Sequence, residues 1–402
     1  MLERDHLVLI NQLLSMNIFF RGGKYDMKIE EVNSYLSKLR IPTSLVFTPI
    51  NLKEEKERFL NSDIYEPNFR YKGVRNSNEE ILKKLSSVKS ISDVDPRISD
   101  FYISLIESKK DADLLMKSVG DNELVTEISS RKYGKPSDLL FRKASQVLRG
   151  KVDNYNIVKY HSSNHSQLLG YDRIEEVFNS VFTYFNLTDW KLHPSSNIGK
   201  NGAKVGIKSK WVLVDPKIER SAFKLKKTLV HEVGTHVLRS INGENSGISA
   251  LSNANLSSYL DIEEGLATWN ESTNNLLTLK TLKKKAAFTY AIYIGEKMSF
   301  RQLYNSMLSV FPKNSAFSIT YRVKRGIVDC SYPGIYSKDI VYFRGFNKVK
   351  KALERDKSLY EKLYAGKIDI KQCEWVDDGL IPKAKIVPSR EQWSEIFKKV
   401  GI

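Results

Sequence analysis

The chain is short of cysteine, short of acid relative to base, and has no long apolar run. Only Cys330 and Cys373 occur among its 402 residues, and neither lies near the paired histidines in sequence. Two cysteines build no disulfide framework, so a reducing, cytoplasmic setting fits best. No stretch reaches the ~20 apolar residues of a membrane span. The most apolar early run, 7–20, is broken by Asn11, Gln12 and Asn17 and preceded by Glu3, Arg4 and Asp5. It has no basic leader and no small-residue cleavage site, and reads as a buried helix, not a signal peptide. No internal repeat and no low-complexity linker is present. Acids number 47 against 64 bases, a net charge of +17, which favours acidic partners. The lysines are scattered and often interleaved with glutamate, as in Lys53-Glu54-Glu55-Lys56-Glu57-Arg58. Nucleic acid is therefore disfavoured, and compositional bias stands beside an acidic peptide tail as the reason for the excess. At 41% hydrophobic residues a sizeable core is expected and global disorder is not.

Histidines are also few, six in all, and two of them sit in Leu229-Val230-His231-Glu232-Val233-Gly234-Thr235-His236-Val237-Leu238. Twenty-eight positions past His236, within Asp261-Ile262-Glu263-Glu264-Gly265-Leu266-Ala267, comes Glu264. Two imidazoles and a carboxylate are the donor set of a catalytic zinc that keeps one position open for water. A glutamate directly after the first histidine is the usual general base of a zinc peptidase. His231, His236 and Glu264 are thus candidate ligands of one zinc ion, and Glu232 the candidate base. Glu263 and Glu271 are candidates to orient the ligand rings from behind. The spacing is unusual, because the common motif places its histidines four apart. Five steps on a regular helix leave the rings roughly 140° apart. A one-residue bulge of the π type would realign them, and Gly234, inside that interval, would ease it. Taken without the downstream glutamates, two ordinary histidines on an amphipathic helix would be the simpler reading.

Around this stretch the pattern changes along the chain. Two short helices are expected around Arg21-Gly22-Gly23-Lys24, then an extended, proline-bounded piece over 41–51. A charged helix from Lys53 to Leu60 precedes an extended Pro67-Asn68-Phe69-Arg70-Tyr71. Residues 78–150 read as helical: Ile81, Leu82, Leu85 and Val88 recur at helical spacing, and Asp95-Pro96 marks a helix start. Short strands are expected at 190–193, 203–207 and 211–214, the segment 203–214 being the candidate edge for pairing with a substrate backbone. Ser221 is the expected N-cap of the histidine helix, with Lys224, Lys226 and Lys227 facing out and Asn242-Gly243 ending it. His161 and His165, four apart in a polar setting with no neighbouring acid, read as a solvated pair. In the last third, cations and tyrosines recur among apolar residues. Arg322, Arg325 and Lys338 are candidates to hold an anionic substrate group. Tyr342 and Tyr321 are candidates to line an aromatic pocket or to donate to an oxyanion. A solvated helix face with core aromatics is the plain alternative for these residues.

The H-E-x-x-x-H of 231–236 with the later Glu-Glu-Gly-Leu-Ala resembles the tyrosine carboxypeptidase family, which includes microtubule-associated tyrosine carboxypeptidases and many bacterial proteins. Supporting segments are Phe47-Thr48-Pro49-Ile50-Asn51, Pro67 to Tyr71, Ser130 to Pro136, Arg322 to Gly326, and Lys338-Asp339-Ile340-Val341-Tyr342. The resemblance runs from about Phe47 to Pro382, and that family carries the same extra residue between its histidines. It implies an α+β, mostly helical, gluzincin-like metallopeptidase with a small β-sheet beside the histidine helix. It implies zinc as cofactor and removal of a C-terminal tyrosine or phenylalanine, the eukaryotic members acting on tubulin tails. The chain then divides into a 1–40 extension of no assigned function and a catalytic unit over 41–402. Within that unit, 41–150 is mostly helical, 151–275 holds the sheet and ligand helices, and 276–402 lies on the substrate side. A zinc endo- or aminopeptidase of the same group, and an inactive basic binding protein that retains zinc, remain alternatives.

Overall fold

Apolar residues recur mostly at helical spacing, and the described residues of the computed structural model are accordingly built of helices with three small sheets. The described residues are 24–41, 46–73, 78–159, 168–198, 202–253 and 257–402. The strands are β1 (Tyr25–Met27), β2 (Val88–Ile91), β3 (Leu168–Leu169), β4 (Lys191–Pro194), β5 (Ala203–Gly206), β6 (Trp211–Val214) and β7 (Arg220–Ser221). β1 pairs with β2 in parallel, and β3 with β7 antiparallel. The three-stranded sheet has the order β4-β6-β5, with β4 parallel and β5 antiparallel to the central β6. Among the described residues β5 is therefore an edge strand.

The three strands of this sheet fall within a residue of where the sequence placed them, and Ser221 caps the histidine helix, its Oγ accepting from the Lys224 amide. Asp95 caps Pro96–Lys117 in the same way. Other expectations fail. Val88 continues a helical spacing in sequence, yet it opens β2 opposite Tyr25, because the helix Glu79–Ser86 stops two residues earlier. One helix, Ile29–Lys38, follows β1; the other expected there falls in 1–23, outside the described residues. The 46–51 segment is a turn, not an extended piece, and buries Phe47 flat against Tyr336 at 4.7 Å between centroids. Asn242-Gly243 does not end the histidine helix, which runs to Glu244; Gly243 is instead the contact point for the Leu251 carbonyl. His161 and His165 lie outside the described residues.

Two apolar cores form, and neither follows chain order. One gathers β1, β2, Tyr171–Tyr184, the β4-β6-β5 sheet, the histidine helix and the C-terminal Arg390–Lys399. The other gathers Phe47, Phe59, Phe69, Asn122–Tyr133, Asp138–Leu148 and Leu279–Gly295 with the helices that follow. The glutamate helix, Ser257–Thr273, stands between them, and its Leu260 and Trp269 pack against both. Its tightest neighbour is Ile340–Arg355. A Cβ on Gly265 would overlap the Gly345 backbone, and one on Gly345 would overlap the Asp261 carbonyl. The two glycines let the backbones approach, and Arg344 and Lys348 clamp the buried Asp261 at 2.7 Å. Among the described residues no helix is long and apolar enough to cross a membrane.

Candidate metal centre

The histidine helix is regular over Ala222–Thr228 and again over Leu238–Glu244, and widens to a π-helix over Leu229–Val237. Bonding five residues back, not four, puts His231 and His236 on one face. Their ring centroids stand 5.0 Å apart. A buried polar network holds the wide turn. Tyr364 Oη donates to the Gly234 carbonyl (2.6 Å), and Asn270 Nδ2 donates to Thr235 Oγ1 and Tyr364 Oη (both 2.8 Å). Tyr360 Oη donates in turn to Asn270 Oδ1 (3.0 Å). The glycine in this turn is needed for a different reason from the one the sequence suggests. Gly234 has no left-handed φ; a Cβ there would stand 2.7 Å from Cζ2 of the buried Trp393. It leaves room for an indole.

Opposite the histidines, the glutamate helix presents Glu264. One donor atom each from His231, His236 and Glu264 lies within 4.8 Å of the others. His231 Nε2 is 3.7 Å from Glu264 Oε2. Zinc with nitrogen and oxygen donors at about 2.0–2.2 Å would hold them roughly 3.3–3.5 Å apart in a tetrahedron. Glu264 Oε2 is also buried with no hydrogen-bond partner. An orphaned carboxylate oxygen is costly unless something positive meets it, and the donor set suits a metal ion.

Behind each ring sits a carboxylate. His231 Nδ1 meets Glu271 Oε1 at 2.7 Å, and His236 Nδ1 meets Glu263 Oε1 at 2.8 Å. An ionised carboxylate only accepts, so each Nδ1 carries the proton and each Nε2 keeps its lone pair for the front. Glu263 is buried, which alone would raise its pKa. Lys367, Arg239 and the His236 contact outweigh burial and hold it well below the carboxylate range. Lys367 Nζ donates to Glu263 Oε1 at 2.5 Å; Arg239 pairs with Oε2 and donates to the carbonyls of Leu363, Gly366 and Ile368. Burial also raises Glu271, but Lys227, His231 and Lys285 bring it down to about 2. Lys227 does not face out as its position in the sequence suggests: its Nζ lies 3.2 Å from Glu271 Oε2 and donates to Thr281 Oγ1.

The cleft in front of the rings has a volume of about 360 Å³. The edge strand β5 and Ile207 form one wall, and Tyr259, Leu260, Glu264 and Tyr342 the other, with Glu232 and the two histidines between. Burial raises the Glu232 carboxyl, the two histidines oppose that, and Glu264 adds to it. Arg220, buried beside Glu232, ties the start of β5 to this corner by donating to the Gly202 carbonyl at 3.1 Å.

Of the two candidate tyrosines, Tyr342 lines the cleft, and the Glu264 carboxylate, with burial, pushes its phenol up. Tyr321 turns its ring edge-on to Phe69, 5.8 Å between centroids. The three candidate cations cluster around one buried acid. Arg322 grips Asp339 through Nε and Nη2, both at 2.6 Å, and Arg325 approaches the same carboxylate at 3.5 Å. Lys338 is adjacent in the chain, its ammonium pulled down by burial and by Arg325. Sequence reasoning missed Arg239, Lys367, Lys285, Asn270 and Tyr364. Arg239 was visible at three residues past His236, where a fully buried arginine demands an acid. The others carry no local signal, because their partners are 35 to 130 residues away.

A family model described as microtubule-associated tyrosine carboxypeptidase matches residues 57–397. Microtubule-associated tyrosine carboxypeptidase 1 of Mus musculus is 34% identical over 131 residues, 31% of this chain and 27% of that protein. Its Homo sapiens counterpart is likewise 34% identical over 131 residues, again 31% of this chain and 27% of that protein. Mus musculus MATCAP2 is 28% identical over 317 residues, 77% of this chain and 50% of that protein. The chain thus spans between about a quarter and a half of the length of these relatives.

Proposed function

The chain belongs to the microtubule-associated tyrosine carboxypeptidase family, and from that premise we propose that it is a zinc-dependent carboxypeptidase of gluzincin type. It removes a C-terminal tyrosine or phenylalanine from a peptide or protein tail. The observation that carries the reading is the convergence of His231, His236 and the orphaned Glu264 oxygen, each histidine backed by its own buried carboxylate. A bound zinc supplies a water of near-neutral pKa and polarises the scissile carbonyl. Glu232, one residue from His231 and facing the same cleft, takes the water proton and passes it to the leaving amine. Tyr342 donates to the carbonyl oxygen as that oxygen gains charge. The unpaired edge of β5 takes the substrate backbone as an added strand. Arg322, Arg325 and Lys338, three cations around one carboxylate, leave an excess of positive charge that draws the terminal carboxylate of the tail.

The +17 chain suits an acidic tail as substrate. Both cysteines are buried and free, which accords with a reducing, cytoplasmic setting. Peptides ending in tyrosine or phenylalanine, blocked at one end or the other, test the reading. Loss of cleavage on C-terminal amidation, with indifference to N-acetylation, is the expected result. Indifference to amidation would replace this reading with an endopeptidase, and loss on N-acetylation with an aminopeptidase.

A further inference from the structure

Six cations are buried among the described residues: Lys132, Arg220, Arg239, Lys285, Lys324 and Lys367. Five of them have hydrogen-bond acceptors in the fold. Lys285 has none. It is 8% exposed, and its ammonium makes no hydrogen bond or ion pair with a described residue; it rests on the face of the Tyr342 ring, 4.9 Å from the centroid. A buried ammonium without an acceptor is among the costlier arrangements a fold can hold. A cation–π contact recovers only part of that cost.

Its position says what would complete it. Tyr342 is the cleft wall beside Glu264. Arg322 lies over the same ring at 5.6 Å, and Phe288, one turn along the helix from Lys285, has its ring 6.3 Å from that of Tyr342. The charge of Arg322 is already met by its two bonds to Asp339. Lys285 is therefore the buried positive charge next to an aromatic surface and the candidate metal centre that has no direct acceptor; the Glu271 and Glu264 carboxylates act on it only through space. We infer that Lys285 is the direct ligand of the substrate's C-terminal carboxylate, with Arg322, Arg325 and Lys338 acting as the surrounding field. This rests on the carboxypeptidase reading above and assigns its specificity to a residue outside the motif segments.

The test compares parent, Lys285→Met, Lys285→Arg and, as a control for loss of one charge from the same helix, the exposed Lys280→Met. Each is assayed on a peptide ending in phenylalanine, as free acid and as amide, and titrated with L-phenylalanine and L-phenylalaninamide. For Lys285→Met the expected result is a fall in kcat/KM on the free acid of about 30-fold or more, mostly as raised KM. L-phenylalanine binding should weaken in parallel, and zinc content should match the parent. Lys285→Arg should recover part of both, and Lys280→Met should behave as the parent. Affinity separates this role from a structural one, because a mere counter-charge to the buried Glu271 would change stability without moving KM or L-phenylalanine binding. A Lys285→Met protein that is less stable, yet keeps the parental KM and L-phenylalanine affinity, would make Lys285 a structural counter-charge and overturn the inference. So would a Lys285→Met protein that folds and loses neither affinity. A parent that cleaves the amide as well as the acid would overturn the carboxypeptidase reading itself, and this one with it.

Discussion

Replacing Gly234 with alanine sets two opposite expectations against each other. In an ordinary helix the change stabilises by about 0.5–1 kcal/mol, because glycine gives up more backbone freedom on folding. Here the new methyl would stand 2.7 Å from Trp393 Cζ2 and 3.4 Å from Cε2. Carbon atoms pack at roughly 3.5–4.0 Å, so something must move by about an ångström. The indole cannot move cheaply: it is 1% exposed and packs edge-on to Phe185 and flat on Phe397. Overpacking of this kind costs about 1–3 kcal/mol, which outweighs the propensity gain. The displacement falls on the wide turn between His231 and His236, so zinc affinity should drop with stability. Urea denaturation and zinc titration read the two effects. Trimming the indole with Trp393→Phe removes the colliding ring, so the double variant should recover at least about 1 kcal/mol relative to the sum of the single changes. A Gly234→Ala protein that gains stability and binds zinc as the parent does would refute the packing argument and the role given to this glycine.

Three further outcomes follow from the same geometry. Glu232→Gln should keep stoichiometric zinc and lose nearly all turnover, measured on a peptide ending in tyrosine; full activity would remove Glu232 as the base. Gly345→Ala should destabilise the fold by about 3 kcal/mol or more by forcing apart the glutamate helix and Ile340–Arg355, seen as a lowered denaturation midpoint. Asp339→Asn leaves a mostly buried Arg322 without its acid and should cost about 3 kcal/mol at neutral pH. Burial raises Asp339, but Arg322 and Arg325 outweigh it, so its folded pKa lies below the ordinary 3.8. The difference between parent and variant should therefore be full above pH 4 and shrink as pH falls through that lower value; stability curves at stepped pH measure it.

The parts of the site that sequence could show were those written in short range. The donor types, the five-residue spacing and the acids at 263 and 271 are local patterns, and a helix must widen for that spacing to serve one centre. The strands at 191–194, 203–206 and 211–214 were legible because short β-favouring runs there are set off by Gly199, Gly202 and Gly206 and closed by Asp215-Pro216. β1 and β2 were not, since runs of three or four residues beside helices carry no alternation long enough to outweigh the helical spacing that runs into Val88. Nor could sequence show that Gly234 answers to Trp393, that Lys227 turns inward to Glu271, or that Arg322 is spent on Asp339. Those depend on segments brought together from far along the chain, where only packing decides which charge meets which.

The central claim is one zinc ion held by His231, His236 and Glu264, and metal counting tests it most directly. Parent, His236→Ala, Glu264→Ala and Glu232→Gln proteins are stripped with chelator, reloaded with limiting zinc, and assayed by elemental analysis alongside circular dichroism. One zinc per chain in the parent and in Glu232→Gln, with loss from folded His236→Ala and Glu264→Ala, is the predicted result. Stoichiometric zinc in both ligand variants, or none in the reloaded parent, would contradict it.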